Sequence, residues 1–97
     1  MMIRLTLNNG FEFEVDFIIE SYNNFHNVFE LNINSTIGDD KISEVWSNIT
    51  SENLGKITVK RGNGTVDTFT GFSEIISQSK NINTSNNLLN VIARKLV

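Results

Sequence analysis

Residues whose side chains could support catalysis or metal binding are few in this chain. It has one histidine, His26, and no cysteine, so it has no thiol nucleophile and no thiolate metal site. A Ser-His-Asp arrangement would have to use His26, and no serine lies in a recognisable nucleophile motif. We therefore predict no metal, no cofactor and no enzymatic activity, and we interpret His26 as an ordinary strand residue.

Carboxylates alternate along one stretch of the chain, at Glu12, Glu14, Asp16 and Glu20. Paired carboxylates can act as general acid and base, but only in a cleft that changes their proton affinity. Alternation places these groups on the outward face of a strand, where solvated side chains are the simpler interpretation. The segment 38–40, Gly-Asp-Asp, lacks the ligand spacing of a calcium loop and is typical of a turn that precedes a helix.

Basic residues could form a patch if the C-terminal segment lies beside the strand that contains Lys60 and Arg61. The candidates are Lys56, Lys60, Arg61, Arg94 and Lys95. No aromatic residues are interleaved with them for base stacking, and the net charge is −3, so we do not expect nucleic-acid binding. The segment 62–64, Gly-Asn-Gly, is not followed by the Lys-Ser/Thr pair of a phosphate-binding loop.

The strongest structural signal is a long β-hairpin over residues 2–19. Apolar residues alternate on both arms, namely Ile3, Leu5 and Leu7, then Phe11, Phe13, Val15, Phe17 and Ile19. A two-residue Asn-Gly turn would put carboxylates on the apolar face. A three-residue loop with Gly10 in the left-handed conformation instead pairs Leu5 with Phe13 and Arg4 with Glu14, and we predict this register.

Alternation resumes over residues 25–34, and Val28 interrupts the polar face. We predict a third strand there, giving a three-stranded N-terminal meander. The period then changes, because Ile42, Val45, Trp46 and Ile49 share one helical face. This pattern predicts a short amphipathic helix at about 41–50, capped by Asp39 or Asp40, with Trp46 covering the meander.

A second hairpin is predicted over 56–61 and 65–70, with Val59 opposite Phe69 and Arg61 opposite Asp67. Residues 71–80 fit either a strand or a helical turn, and residues 88–97 fit either a helix or a strand. The predicted fold class is α+β: mainly antiparallel β-sheet, with the meander, the second hairpin, one short helix and an ambiguous C-terminal segment.

Length and composition set the broad class. Ninety-seven residues predict a single domain over 1–97 with one core. No apolar run approaches the length of about 18 residues that spans a bilayer, and Arg4 is the one early basic residue, so we expect neither a membrane protein nor a secretory signal. We expect a cytoplasmic or particle-associated protein.

One stretch of the second half carries a resemblance. Lys56-Ile-Thr-Val is followed by a Gly-Asn-Gly turn and then by Phe69-Thr-Gly-Phe72-Ser-Glu-Ile. Over residues 42–97 this arrangement resembles small phage-encoded and prophage-encoded proteins of low-GC Gram-positive bacteria. The resemblance implies a phage origin and a role near virion assembly, and it supplies no catalytic residue.

These observations predict a non-enzymatic protein-interaction protein of phage or prophage origin, such as a tail, neck or baseplate accessory. The alternative is a small inhibitor of a host defence system, of the anti-CRISPR type. In either case we expect the chain to bind a protein, either a virion component or a host protein. A homo-oligomer is also compatible with exposed strand edges. The candidate interaction surface is Arg4, Glu12, Glu14, Asp16, Ile18, Val28, Lys60 and Arg61.

Overall fold

A computed structural model describes residues 2–96, and Met1 and Val97 lie outside the described residues. The described part of the chain is mostly antiparallel β-sheet, with eight strands, one α-helix and one turn of 3-10 helix. In chain order the strands are β1 (Ile3–Thr6), β2 (Glu12–Val15), β3 (Phe17–Asn23), β4 (Val28–Gly38), β5 (Lys56–Arg61), β6 (Val66–Thr70), β7 (Glu74–Asn81) and β8 (Asn86–Leu96). The α-helix, α1, is Ile42–Asn48, and the 3-10 turn is Asn53–Gly55.

Within residues 2–96 the strands form two four-stranded sheets. Sheet 1 has the order β2-β1-β5-β6, and sheet 2 has the order β3-β4-β8-β7. Buried residues from both sheets form one hydrophobic cluster, so the two sheets pack against each other across a shared core. Val45 of α1 is buried in the same cluster, and Trp46 is half-buried against it.

The first hairpin has the predicted register. Leu5 lies opposite Phe13 and Arg4 lies opposite Glu14. Gly10 has φ of +89°, and the amide of Gly10 donates to the carbonyl of Leu7 over 2.9 Å. The three-residue loop keeps the apolar residues of both arms on the side that faces the core, which is the physical reason for this register.

The second arm of this hairpin does not continue to residue 19, and the predicted three-stranded meander is wrong. The chain leaves sheet 1 after Val15 and enters sheet 2 at Phe17. The amide of Asp16 donates to the carbonyl of Asn34 over 2.7 Å, although the register partner of Asn34 is Phe17. Asp16 is thus one extra residue at the crossing, a β-bulge, and such bulges are where strands pass between packed sheets.

The bulge at Asp16 exchanges the two faces of the strand that follows it. Ile18 packs against the core, whereas Phe17 and Ile19, which were predicted to point inward, are 41% and 55% exposed. Ile18 was expected to be an exposed apolar group, and this expectation is wrong. Val28 was expected to interrupt an exposed face, but it is only 4% exposed.

The remaining elements refine the predicted class. The second hairpin forms with a register displaced by two residues, because Val59 pairs with Asp67 and Phe69 pairs with Ile57. The segments with open alternatives are both strands, β7 and β8. The helix begins after Lys41, and no described side chain caps its first turn, so the predicted cap by Asp39 or Asp40 is wrong. Asp39 instead accepts a hydrogen bond from Asn87 over 2.6 Å.

Candidate functional site: the outer face of sheet 2

The outer face of sheet 2 carries several apolar side chains that are exposed or half-buried. Ile19, Asn32, Ile92 and Ile76 lie side by side in one cross-strand row that runs from β3 to β7. Ile19 is 55% exposed, Ile76 is 46% exposed, and Ile92 between them is half-buried. Adjacent strands are about 4.8 Å apart, so the row presents isoleucine at both margins and near the centre of the face.

A cluster of amides lies among these isoleucines. Asn32 Oδ1 accepts hydrogen bonds from Nδ2 of Asn34 over 3.1 Å and from Nδ2 of Asn90 over 2.8 Å. Asn90 Nδ2 also lies 3.3 Å from the carbonyl oxygen of Ile33. Three of the six side-chain amide atoms of this cluster, Asn32 Oδ1, Asn34 Nδ2 and Asn90 Nδ2, are hydrogen-bonded within the protein. A partner that covers this part of the face must hydrogen-bond to the other amide atoms or leave their desolvation uncompensated.

A charged group borders the face on one side. Arg94 Nε donates to Glu30 Oε2 over 2.7 Å, and Arg94 Nη1 lies 3.5 Å from Glu74 Oε1. Glu30, Arg94 and Glu74 occupy adjacent strands in the row two residues along from Ile19. An apolar centre with a polar and charged margin is the usual composition of a protein-binding surface.

We call five of the apolar residues of this outer face the isoleucine face. Its members are Phe17, Ile19, Ile76, Leu88 and Ile92. Soluble proteins rarely group exposed apolar side chains, and grouped ones are typical of interaction sites.

Most of the charged residues selected from the sequence lie elsewhere, on the outer face of sheet 1. One row across that sheet reads Glu14, Arg4, Lys60 and Val66. The guanidinium of Arg4 is 3.5 Å from the carboxylate of Glu12 and 3.8 Å from that of Glu14. All three side chains are about half-exposed, so these are solvated ion pairs of small energetic value.

Two shallow clefts border the Arg4 row. One, of about 350 Å³, lies between β2 and α1 and contains charges of both signs, among them Glu12, Lys41 and Glu44. The other, of about 300 Å³, is lined by Arg4, Lys60 and Arg61 beside the 62–64 loop. Glu14 also lines the first cleft, so three carboxylates lie there beside the cations of Arg4 and Lys41.

The other selected residues are separate from one another. Asp16 is at the crossing between the sheets, where its carboxylate accepts a hydrogen bond from the Thr36 hydroxyl over 2.7 Å. Arg61 forms an ion pair with Asp67. The interpretation of His26 as a strand residue is wrong, because it lies in the exposed turn between β3 and β4. Its ring contacts that of Phe25 at a centroid distance of 5.1 Å. No group of three or more His, Asp or Glu side chains within residues 2–96 could hold a metal ion.

The isoleucine face was missed by the sequence analysis, although a signal for it is present. Adjacent apolar residues occur in the strands of sheet 2, among them Phe17-Ile18-Ile19, Ile75-Ile76 and Val91-Ile92-Ala93. Successive side chains of a strand point to opposite faces, so each run must place at least one apolar side chain on the outer face. Assigning these runs to one sheet would have revealed the face.

Comparison with known proteins identifies no relative. No protein-family model matches the chain, and neither a curated protein nor a solved structure is significantly similar to it. Among residues 2–96, none of the helical structure is long and apolar enough to cross a membrane.

Proposed function

We propose that this chain is a non-enzymatic protein-interaction protein and that the isoleucine face is the surface that contacts its partner. The observation that carries this proposal is the row of Ile19, Ile92 and Ile76 on one outer face, with two of the three about half-exposed. Burying such side chains contributes about 25 cal/mol for each Å² of apolar surface removed from water.

The amide cluster supports the same proposal. A partner that covers Asn32, Asn34 and Asn90 meets amides whose bonds to each other are 3.1 Å or shorter. The amide groups that have no hydrogen bond within the protein can bond to backbone groups of the partner or to water at the edge of the contact. The face therefore combines an apolar driving force with polar groups that fix the orientation of a partner.

We further propose that the partner is a protein of the virus particle, in a tail, neck or baseplate. This part of the proposal rests on the resemblance of residues 42–97 to phage-encoded and prophage-encoded proteins. The charged residues on the outer face of sheet 1, Arg4, Glu12, Glu14 and Lys60, remain a second predicted contact surface.

The experiment is photo-crosslinking during particle assembly. A prophage that encodes the chain is induced in cells that incorporate a photoreactive phenylalanine at position 19, or at position 68 as the control. Thr68 is exposed on the outer face of sheet 1. We expect the chain to sediment with gradient-purified particles and position 19 to crosslink to one particle protein, while position 68 gives little product.

Two results would contradict parts of the proposal. If position 19 gives no more product than position 68, the isoleucine face is not the contact surface. If position 19 crosslinks to a host defence protein, and the particles lack the chain, the face binds a partner but the virion assignment is wrong. That second result would favour the alternative function, inhibition of a host defence system.

A further inference from the structure

Within residues 2–96, each sheet has two edge strands with a neighbouring strand on one side only: β2 and β6 in sheet 1, and β3 and β7 in sheet 2. Open strand edges present N–H and C=O groups that can pair with another strand. The strand β7 is the longest of the four, with eight residues against seven, five and four. It also contains no proline and has charges only near its two ends.

The charges of β7 are arranged to pair with those of a second β7. In a twofold antiparallel pairing centred on Ser77, Glu74 of each copy lies opposite Lys80 of the other. Ile76 of each copy lies opposite Gln78 of the other. The residue numbers of facing residues differ by an even number, so outward-facing residues pair with outward-facing residues and inward-facing ones with inward-facing ones. Opposite charges at facing positions stabilise strand pairs, and this register contains two such pairs.

The strands β2 and β3 do not share this property. The outward-facing residues of β2 are Glu12 and Glu14. If two copies of β2 paired with their outer faces on the same side, a glutamate of one copy would lie opposite a glutamate of the other. Self-pairing centred on β3 brings Glu20 opposite Glu20. Like charges at facing positions are destabilising, so these edges oppose self-association.

The hydrogen-bond alternation of β7 fits the same register. Beyond the end of β7, the amide of Ile82 donates to the carbonyl of Asn86 over 3.2 Å, and the pair lies in the register of β7 with β8. Hydrogen-bonded and non-hydrogen-bonded pairs alternate along an antiparallel ladder. The even-numbered residues of β7 therefore form backbone hydrogen bonds with β8, and the odd-numbered residues direct their N–H and C=O groups to the open edge. Ser77 is odd-numbered, so the central pair is hydrogen-bonded, and Glu74 and Lys80 occupy the closer, non-hydrogen-bonded positions.

A second copy would extend an existing row of charges. Glu30, Arg94 and Glu74 already alternate in sign across three strands, with distances of 2.7 Å and 3.5 Å. Lys80 of a second copy would be the next residue in this row. In the described range 2–96, Lys80 has no carboxylate within 4.0 Å, so its ammonium group can take this position without breaking an ion pair.

We propose that two copies of this chain associate through antiparallel pairing of β7 and form a continuous eight-stranded sheet. The pairing places the two isoleucine faces on the same side of that sheet, so the dimer presents a surface twice as wide. This inference rests on the β7 edge alone and does not depend on the partner proposed above.

The test is molar mass by light scattering over a concentration series up to about 1 mM, the range in which weak association is detectable. We expect the wild-type chain to approach twice its mass of 11.0 kDa. Glu74→Lys alone and Lys80→Glu alone each place like charges in both facing pairs, and we expect each to weaken dimerisation about tenfold or more. Lys56→Glu, at an exposed position on the outer face of sheet 1, is the matched charge control and should dimerise as the wild type does.

Mixing the Glu74→Lys and Lys80→Glu chains supplies the decisive comparison. In the mixed pair each lysine again faces a glutamate, so we expect the mixture to form a heterodimer with near wild-type affinity. Ser77→Pro removes an amide that faces the open edge and should give a folded monomer, with circular dichroism confirming the fold. A wild-type chain that stays monomeric, or a dimer that all three β7 variants leave unchanged, would overturn the proposal.

Discussion

The hydroxyl of Ser35 donates a hydrogen bond to the backbone carbonyl of Glu14 and so connects the two sheets. Ser35 lies in β4 of sheet 2 and is fully buried, while Glu14 lies in β2 of sheet 1. The contact is two residues from Asp16, where the chain passes from one sheet to the other. A buried hydroxyl in an apolar core is stabilising when it satisfies a backbone group that would otherwise lack a partner.

Replacing Ser35 should therefore destabilise the fold. We expect Ser35→Ala to lower the free energy of unfolding by about 1–3 kcal/mol, because the Glu14 carbonyl loses its partner in a partly buried position between the two sheets. Urea denaturation followed by circular dichroism measures the change. Ser21→Ala, at an exposed position of β3, is the control and should change it by less than about 0.5 kcal/mol. An equal effect of the two substitutions would show that the Ser35 contact has no special role.

The loop of the first hairpin depends on the backbone conformation of Gly10. A Cβ at this position would meet nothing within 4 Å, so the cost of a side chain is conformational and follows from φ of +89°. We expect Gly10→Ala to lower the free energy of unfolding by about 1–2 kcal/mol. Gly55 also has open space around it but lacks positive φ, so Gly55→Ala should be neutral or stabilising by up to about 1 kcal/mol. Urea denaturation of the two variants gives the comparison, and a Gly10→Ala chain as stable as the wild type would contradict the loop geometry.

The ion pair between Arg94 and Glu30 is mostly buried, unlike the pairs of Arg4. We expect Arg94→Met to lower the free energy of unfolding by about 1–3 kcal/mol, since it leaves the Glu30 carboxylate without its main partner. The double variant Glu30→Met/Arg94→Met should recover most of this loss, because no buried charge remains unpaired. Urea denaturation of both single variants and the double variant completes the cycle. Additive losses would show that the two side chains do not act as a pair.

Local patterns were sufficient to predict the first hairpin, its register and the amphipathic helix. The Leu5–Phe13 and Arg4–Glu14 pairs follow from alternation and from the preference of Gly10 for positive φ. The helix follows from the shared face of Ile42, Val45 and Trp46. In these elements the signal lies within a few residues, so no knowledge of the tertiary structure is needed.

The crossing between sheets and the isoleucine face were not predictable by the same means. Because Asp16 is one extra residue in the strand, Ile18 rather than Phe17 faces the core. Aspartate has no local preference from which this bulge could have been predicted. The second hairpin was displaced by two residues because pairing Arg61 with Asp67 was favoured. The observed fold forms that ion pair between positions that are not directly opposite. Charge pairs therefore locate a hairpin better than they fix its register.

The measurement that most directly tests the isoleucine face compares Ile19→Lys with Val66→Lys. Both wild-type side chains are 55% exposed, one on the outer face of sheet 2 and the other on that of sheet 1. Each variant is expressed from an induced prophage, shown to fold by circular dichroism, and quantified by mass spectrometry in gradient-purified particles. We predict that Ile19→Lys lowers the amount of the chain per particle about tenfold or more, while Val66→Lys leaves it unchanged. Equal incorporation of Ile19→Lys and the wild type would contradict the assignment of the isoleucine face as the partner-binding surface.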